Sequence, residues 1–356
     1  MSCLRPTASQ WPSSRLASGL VGLLALAIVA VGCGGGTTES VSVDGSSTVF
    51  PLTEAVAEEF MEDTQGARVN VGVSGTGGGF SKFLRGDIAI NDASRPISPE
   101  EIEKAAQNGV EYIEIPIAYD GLAVVVHPEN DWVECVTAGE LEELWAPNSS
   151  IDRWSQLRDD FPDRPIDLYG PGTASGTYDY FTEAIVGEAE ASRSDFTASE
   201  DDNVLVQGIK GTETSLGYFG LAYYENNAGD LKALGVDPDQ PNSGAPCVTP
   251  SAETVQNGTY RPLSRPLFIY VNPAKVTPTV ETFVEFYLQN AGELASDVGY
   301  VAMPDDAYDL ALERFQSRTT GTVFGAEDVD VTGTRVEQML RSAMSDTAAS
   351  DTTAAE

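Results

Sequence analysis

The sequence predicts an α/β protein built on doubly wound sheets, and two observations carry that expectation. From Ser40 onward, short apolar runs of strand character alternate with segments whose apolar residues repeat at helical spacing. Three of the strand-to-helix junctions are rich in glycine and hydroxyl side chains. In such sheets ligands bind at the carboxyl ends of the strands, where these junctions fall.

In chain order, Val41–Val43 reads as a strand and Asp44–Phe50, DGSSTVF, as the first junction. Pro51 suits the first turn of the helix Pro51–Met61, along which Leu52, Val56 and Phe60 step by four on one face. Arg68–Val73 is a strand that leads into the second junction within Gly72–Leu84, GVSGTGGGFSKFL, with a helix over Gly79–Leu84. A strand at Asp87–Ala93, a helix at Pro99–Gln107 and a strand at Tyr112–Ile117 follow. Ala118–Val126 is a further apolar strand that could carry the chain into a second domain, with helices at Thr137–Trp145 and Ser155–Asp160. The third junction lies in Tyr169–Val186, YGPGTASGTYDYFTEAIV, where Tyr178, Phe181 and Ile185 give the helix its apolar face. Asn203–Ile209 begins another helix, and Leu216–Tyr224 returns as a strand with a glycine turn. Asp230–Ser243 reads as a loop-rich insertion, Leu267–Val271 as a strand back to the first domain, and Val280–Gln289 as a long helix.

A helix start offers unpaired N–H groups and the positive end of a dipole, so a Ser/Gly/Thr loop there makes a socket for a small anion. One Ser-Gly-Thr before a helix is more often an ordinary cap. Three such loops can converge on one tetrahedral oxyanion.

Residues 1–32 read as a secretory signal peptide. Arg5 and Arg15 precede a short apolar run, Leu20–Val31, and a spanning helix needs roughly 18 or more apolar residues. Small residues before Cys33 suggest a lipidated cysteine at the head of a tether over 33–40, with simple cleavage as the alternative given Ala30. Without the signal, 324 of 356 residues remain, enough for two domains. They carry 18 basic and 55 acidic side chains, a formal charge of −37. That excludes nucleic acid as a natural partner. With only five lysines in the chain, the acid suggests a surface kept soluble in concentrated salt. Cys3 leaves with the signal, so Cys135 and Cys247 form an even pair and are expected to be disulfide-bonded. No cysteine–histidine spacing suggests a metal, and His127 is the only histidine. The tail over 344–356 is small, polar and acidic, the composition of a disordered segment.

DGSSTVFPL, then GVSGTGGGF with DASRPI, then SGTYDYF and LGYFGLAYY resemble, in order, the phosphate-binding lipoproteins of high-affinity phosphate ABC importers. The resemblance spans roughly Val41 to Leu340 and implies a type II periplasmic-binding-protein fold. Its two lobes would be 41–118 with 263–343, and 119–262, hinged near Ile117–Val124 and Arg261–Tyr270. It implies a monomeric receptor without cofactor, periplasmic or on the cell surface and lipid-anchored to the membrane. This receptor would close on inorganic phosphate and hand it to a membrane permease. Carried over by residue, it places Ser47, Thr48 and the Val49 and Phe50 amides at the phosphate, with Ser74 and Thr76, and with Ser175, Gly176 and Thr177. Many relatives have an arginine four residues before the Ser-Gly-Thr, where this chain has Pro171. Many also have an aspartate where this chain has Arg95, so Arg95 is the expected bidentate phosphate contact.

Phosphate near neutral pH keeps a proton that sulfate lacks, so a site selective for it needs a buried acceptor, which would repel a fully ionised anion. Asp120, expected to face the cleft from a crossover strand, is the first candidate; Asp179 and Asp92 are the others. The rival readings are the same fold binding sulfate, molybdate or tungstate, and a secreted phosphatase or serine hydrolase using Ser175. The last would need a base beside the serine, and His127, before Pro128, has no evident partner.

Overall fold

The computed structural model describes residues 40–173, 175–238, 247–325 and 335–343. The expected signal segment, Cys33 and its tether up to residue 39, Ala174, residues 239–246 of the surface insertion and the tail from 344 lie outside the described residues.

The chain begins Ser40–Gly45 (β1), Phe50–Asp63 (α1), Arg68–Val73 (β2), Thr76–Phe83 (α2), Ile90–Ala93 (β3), Pro99–Asn108 (α3) and Ile113–Val126 (β4). It continues Cys135–Thr137 (β5), Ala138–Trp145 (α4), Trp154–Leu157 (α5), Asp167–Pro171 (β6), Gly176–Phe181 (α6), Thr197–Ser199 (β7), Asp202–Lys210 (α7) and Ser215–Gly220 (β8). Leu221–Asn226 (α8), Lys232–Ala233 (β9), Gly235–Asp237 (β10), Ala252–Gln256 (α9), Ser264–Val271 (β11), Pro278–Asp297 (α10) and Asp305–Gln316 (α11) complete the named elements. A last helix runs over 336–343.

The expected periodicities place their residues inside. Leu52, Val56 and Phe60 of α1 are buried, as are Tyr178, Phe181 and Ile185 beyond the third junction. Phe181 stacks on Tyr218 with ring centroids 3.6 Å apart, and Trp145 meets both rings edge-on. Local caps set the helix starts. Ser98 accepts the Glu101 N–H while the Glu101 carboxylate accepts the Ser98 N–H, and Thr137 with Glu140 repeats the arrangement at α4.

The strands lie in the order β2-β1-β3-β11-β4-β8-β6-β7, with β9 also on β4. β1 is parallel to β2 and β3, and β6 is parallel to β7 and β8. Between these two parallel arrays, β11 and β4 run antiparallel and pair from Val271 opposite Ile113 to Ser264 opposite Gly121. β4 then continues against β8. Each array with its helices forms one lobe of a two-lobed, type II periplasmic-binding-protein architecture, and the β4–β11 pair crosses between them. Tyr112–Ile117 and Ala118–Val126, expected as two strands, form one strand of 14 residues buried at every position. The expected strand Leu216–Tyr224 is instead β8 followed directly by α8.

Cys135 and Cys247 form the expected disulfide, 112 residues apart in sequence with Cα atoms 6.0 Å apart. Cys135→Ser is expected to lower the unfolding free energy by about 4–5 kcal/mol in the chain-entropy account. The shift of the denaturant midpoint between oxidised and Cys135→Ser protein measures it. A shift below a tenth of that figure would make the bridge energetically idle.

Candidate functional site

Two junction loops, the segment after β3, α6 with the turn that extends it, and β11 meet at a cleft of about 150 Å³. One wall is Ser46, Ser47, Thr48, Gly75, Thr76, Ser94 and Arg95; the other is Asp179, Glu183 and Arg265. The first loop spends its Phe50 N–H on the Ser46 carbonyl at 3.1 Å and its Thr48 N–H on Ser46 Oγ at 3.2 Å. The Ser47 and Val49 N–H groups have no acceptor among the described residues, so they are the donors this loop leaves free. In the second loop, the Thr76 and Ser94 hydroxyls lie 3.1 Å apart, and the Ser94 N–H donates to Thr76 Oγ1. Glycine is needed behind this loop, because a Cβ on Gly79 would stand 1.9 Å from Asn91 Oδ1 and 2.6 Å from Gly45 Cα.

The third junction closes on the first. A Cβ on Gly176 would stand 2.2 Å from Thr48 Oγ1 and 2.9 Å from Thr48 Cα, so only glycine permits this approach. Tyr300, from the segment after α10, braces the first loop by donating its hydroxyl hydrogen to the Thr48 carbonyl. Ser175 does not line the cleft; its Oγ accepts the Thr177 N–H at 3.2 Å and caps α6. Thr177 likewise is not among the lining residues. Ser74 turns away too, donating to Asp44, which also holds Lys82 at 2.6 Å.

Arg95 lines the cleft with both its Nη atoms on Glu101, at 2.9 and 3.0 Å, and with its guanidinium over the Phe80 ring at 5.6 Å. The hydrogen bonds to Glu101, opposed by burial, hold its guanidinium above the ordinary arginine range. The expected bidentate fork is therefore made to the acid that caps α3.

Arg265, which sequence reasoning missed, is the second cationic group. It stands on β11 directly opposite Asp120 on β4. Its guanidinium carbon lies 3.7 Å from the Tyr180 ring centroid, and its Nη2 is 3.4 Å from Asp120 Oδ2. Arg265 Nε, though buried, makes no hydrogen bond among the described residues. The clue in the sequence was that the expected crossover segments carry charge of opposite sign, Asp120 on one and Arg261 and Arg265 on the other.

The three candidate acceptors are placed differently. Asp120 is buried and is not among the lining residues, contrary to its expected position facing the cleft. The guanidinium across the strand pair claims it. Burial raises its carboxyl above the ordinary range, against the pull of Arg265. Asp92 is also buried and off the cleft, with both oxygens unpartnered among the described residues. Burial, eased by the Thr53 hydroxyl and reinforced by Asp44, pushes its carboxyl up to about 8. Asp179 does line the cleft, and its buried Oδ1 has no partner among the described residues. Burial first, then Glu190, raises its carboxyl.

His127 Nδ1 accepts the Glu129 N–H at 3.1 Å, a partner the sequence reading did not foresee. Among the described residues no group of acids, histidines or cysteines could hold a metal, and no helix is long and apolar enough to cross a membrane.

Comparisons with known proteins show the family. Residues 34–291 match the family described as PBP superfamily domain. The chain is 49% identical over 321 residues to the protein SphX of Synechocystis sp., covering 89% of this chain and 94% of that one. It is 37% identical over 285 residues to the phosphate-binding protein PstS of Staphylococcus saprophyticus, covering 77% of this chain and 86% of that one. Its structure resembles the crystal structure of a possible phosphate-binding protein from Planctomyces limnophilus, with a TM-score of 0.74 and 44% identity over 79% of this chain and 99% of that one. The chain belongs to the PBP superfamily, as a PstS-like member.

Proposed function

We propose that this chain binds inorganic phosphate in the cleft and delivers it to the permease of an ABC transporter, working as a receptor outside the cytoplasm and not as an enzyme. The observation that carries the reading is the composition of one small cleft. It combines two guanidinium groups, free N–H donors at the start of α1, five hydroxyl side chains and one unpartnered carboxylate. Ser47, Thr48, Val49, Thr76, Arg95 and Arg265 supply the donors. Phe50, Ser74, Ser175, Gly176 and Thr177 shape the loops around them. The lobes divide as 41–118 with 263–343 against 119–262. The chain is exported as a monomer and held at the membrane by a lipid on Cys33. A formal charge of −37 does not defeat anion binding: at about 1 M salt the Debye length is roughly 3 Å, so distant carboxylates are screened and contacts within the cleft are not.

Asp179, not Asp120, takes the phosphate proton's hydrogen bond, because of the three candidates it alone lines the cleft and it has an oxygen without a partner among the described residues. Sulfate, molybdate or tungstate would meet that carboxylate with lone pairs only. Calorimetric titration of the exported chain with phosphate and then sulfate, in molar chloride, tests the reading. One-to-one phosphate binding with sulfate silent supports it, and silence toward both defeats it. Asp179→Asn is expected to narrow the phosphate preference over sulfate by on the order of 100-fold, the equivalent of about 2–3 kcal/mol. Unaltered selectivity would return the acceptor role to another group.

A further inference from the structure

One carboxylate in the cleft has no part in that account. Glu183 stands one turn after Asp179, in the π-helical turn Thr182–Val186 that extends α6. Such turns are frequent at functional sites because the extra residue re-aims its neighbours. Glu183 lines the cleft, and its Oε2 lies 3.6 Å from Arg265 Nη1. Its charge also acts on Arg95 of the facing wall. Arg265 therefore already faces an oxyanion that belongs to the chain.

Resting on the phosphate reading, we infer that Glu183 is a tethered competitor, whose carboxylate occupies the face of Arg265 that phosphate must claim. At 3.6 Å its contact is an ion pair and not a full arginine–carboxylate hydrogen bond, so moving it away breaks no such bond. Its freedom is the second reason. The Glu183 side chain is 54% exposed, against 3% for Asp120 on the other side of the same guanidinium. Asp120 holds Arg265 permanently, whereas Glu183 can swing into solvent. With the phosphate's proton given to Asp179, a second carboxylate left on Arg265 would face phosphate oxygens with lone pairs only, so binding requires that swing. The internal competitor keeps weaker anions off Arg265 and lowers the affinity for phosphate.

The test is calorimetric titration with inorganic phosphate of the unaltered exported chain, Glu183→Gln and Glu188→Gln. Glu188 is exposed and is not a lining residue, so it controls for the loss of one charge. Glu183→Gln is expected to bind phosphate about three- to tenfold more tightly, with Glu188→Gln within twofold of the unaltered chain. Unchanged affinity in Glu183→Gln overturns the proposal, and so does weaker affinity, which would make Glu183 a phosphate ligand. If the unaltered chain itself takes no phosphate, the functional reading fails first and this one with it.

Discussion

Arg265→Met is expected to weaken phosphate binding by on the order of 100-fold and to destabilise the fold by about 3–5 kcal/mol, for two separable reasons. The guanidinium is a cleft donor, and it is also the counter-ion of a buried carboxylate on the neighbouring strand. Removing it leaves Asp120 buried without a cation. Asp120 already has a raised carboxyl, so the folded variant holds its proton more tightly than the unfolded chain does. The stability cost is therefore small below the ordinary carboxylate range near pH 4 and grows as pH rises above it. Adding Asp120→Asn to Arg265→Met should restore most of the stability at neutral pH and none of the phosphate binding. Chemical denaturation from pH 4 to 8, alongside calorimetry, checks both statements. A double variant that regained affinity would mean that Arg265 only braces the strands.

Asp92→Asn is expected to change the pH dependence of stability more than any other single substitution. In the folded protein the Asp92 carboxyl titrates at about 8, against an unfolded value near 4. The folded state therefore keeps a proton that the unfolded chain releases. The stabilisation is full below about pH 4, declines through the interval and is gone above about pH 8. Replacing the carboxyl should remove a slope of about 1.4 kcal/mol per pH unit between pH 5 and 7. Denaturant melts at unit pH steps measure this directly. Parallel pH profiles for the two proteins would mean that Asp92 finds a partner in solution. Phosphate affinity should stay unaltered, because Asp92 is not among the residues that line the cleft.

Much of the architecture was legible because local pattern and burial agreed. Leu52, Val56 and Phe60, or Tyr178, Phe181 and Ile185, could be assigned to the core by spacing alone. α11 escaped because its inner face is Ala307, Ala311 and Arg314 beside Tyr308 and Phe315. With two small residues and a charge on that face, only Tyr308 and Phe315 mark it as apolar, a weak stripe. Arg314 is buried all the same, because its Nε donates to the Glu114 carbonyl and its Nη2 to that of Gly321. The first junction loop and Thr76 of the second stand in the cleft wall as expected from their sequence, whereas the pairing of the charges there was not legible. Arg265 finds Asp120 across 145 residues, a pairing made only by strand register. Arg95 was read as free for phosphate, although Ser98 and Glu101 follow at capping-box spacing, and the structure gives that acid to the arginine as well. Glu183, four residues after Asp179, was within reach of helical spacing. The π-helical turn that carries it was not.

The β4–β11 pair limits how the molecule can move. Sliding either strand by one residue would turn its buried side chains to the opposite face, and both strands are buried along their length. Translation is thus forbidden, and torsion of the ribbon remains. Its weak point is the register irregularity between Leu267 and Phe268, where twist concentrates. That point lies two residues beyond Arg265. The ribbon's most twistable point and a cationic residue of the cleft wall thus lie within three residues of each other on one strand.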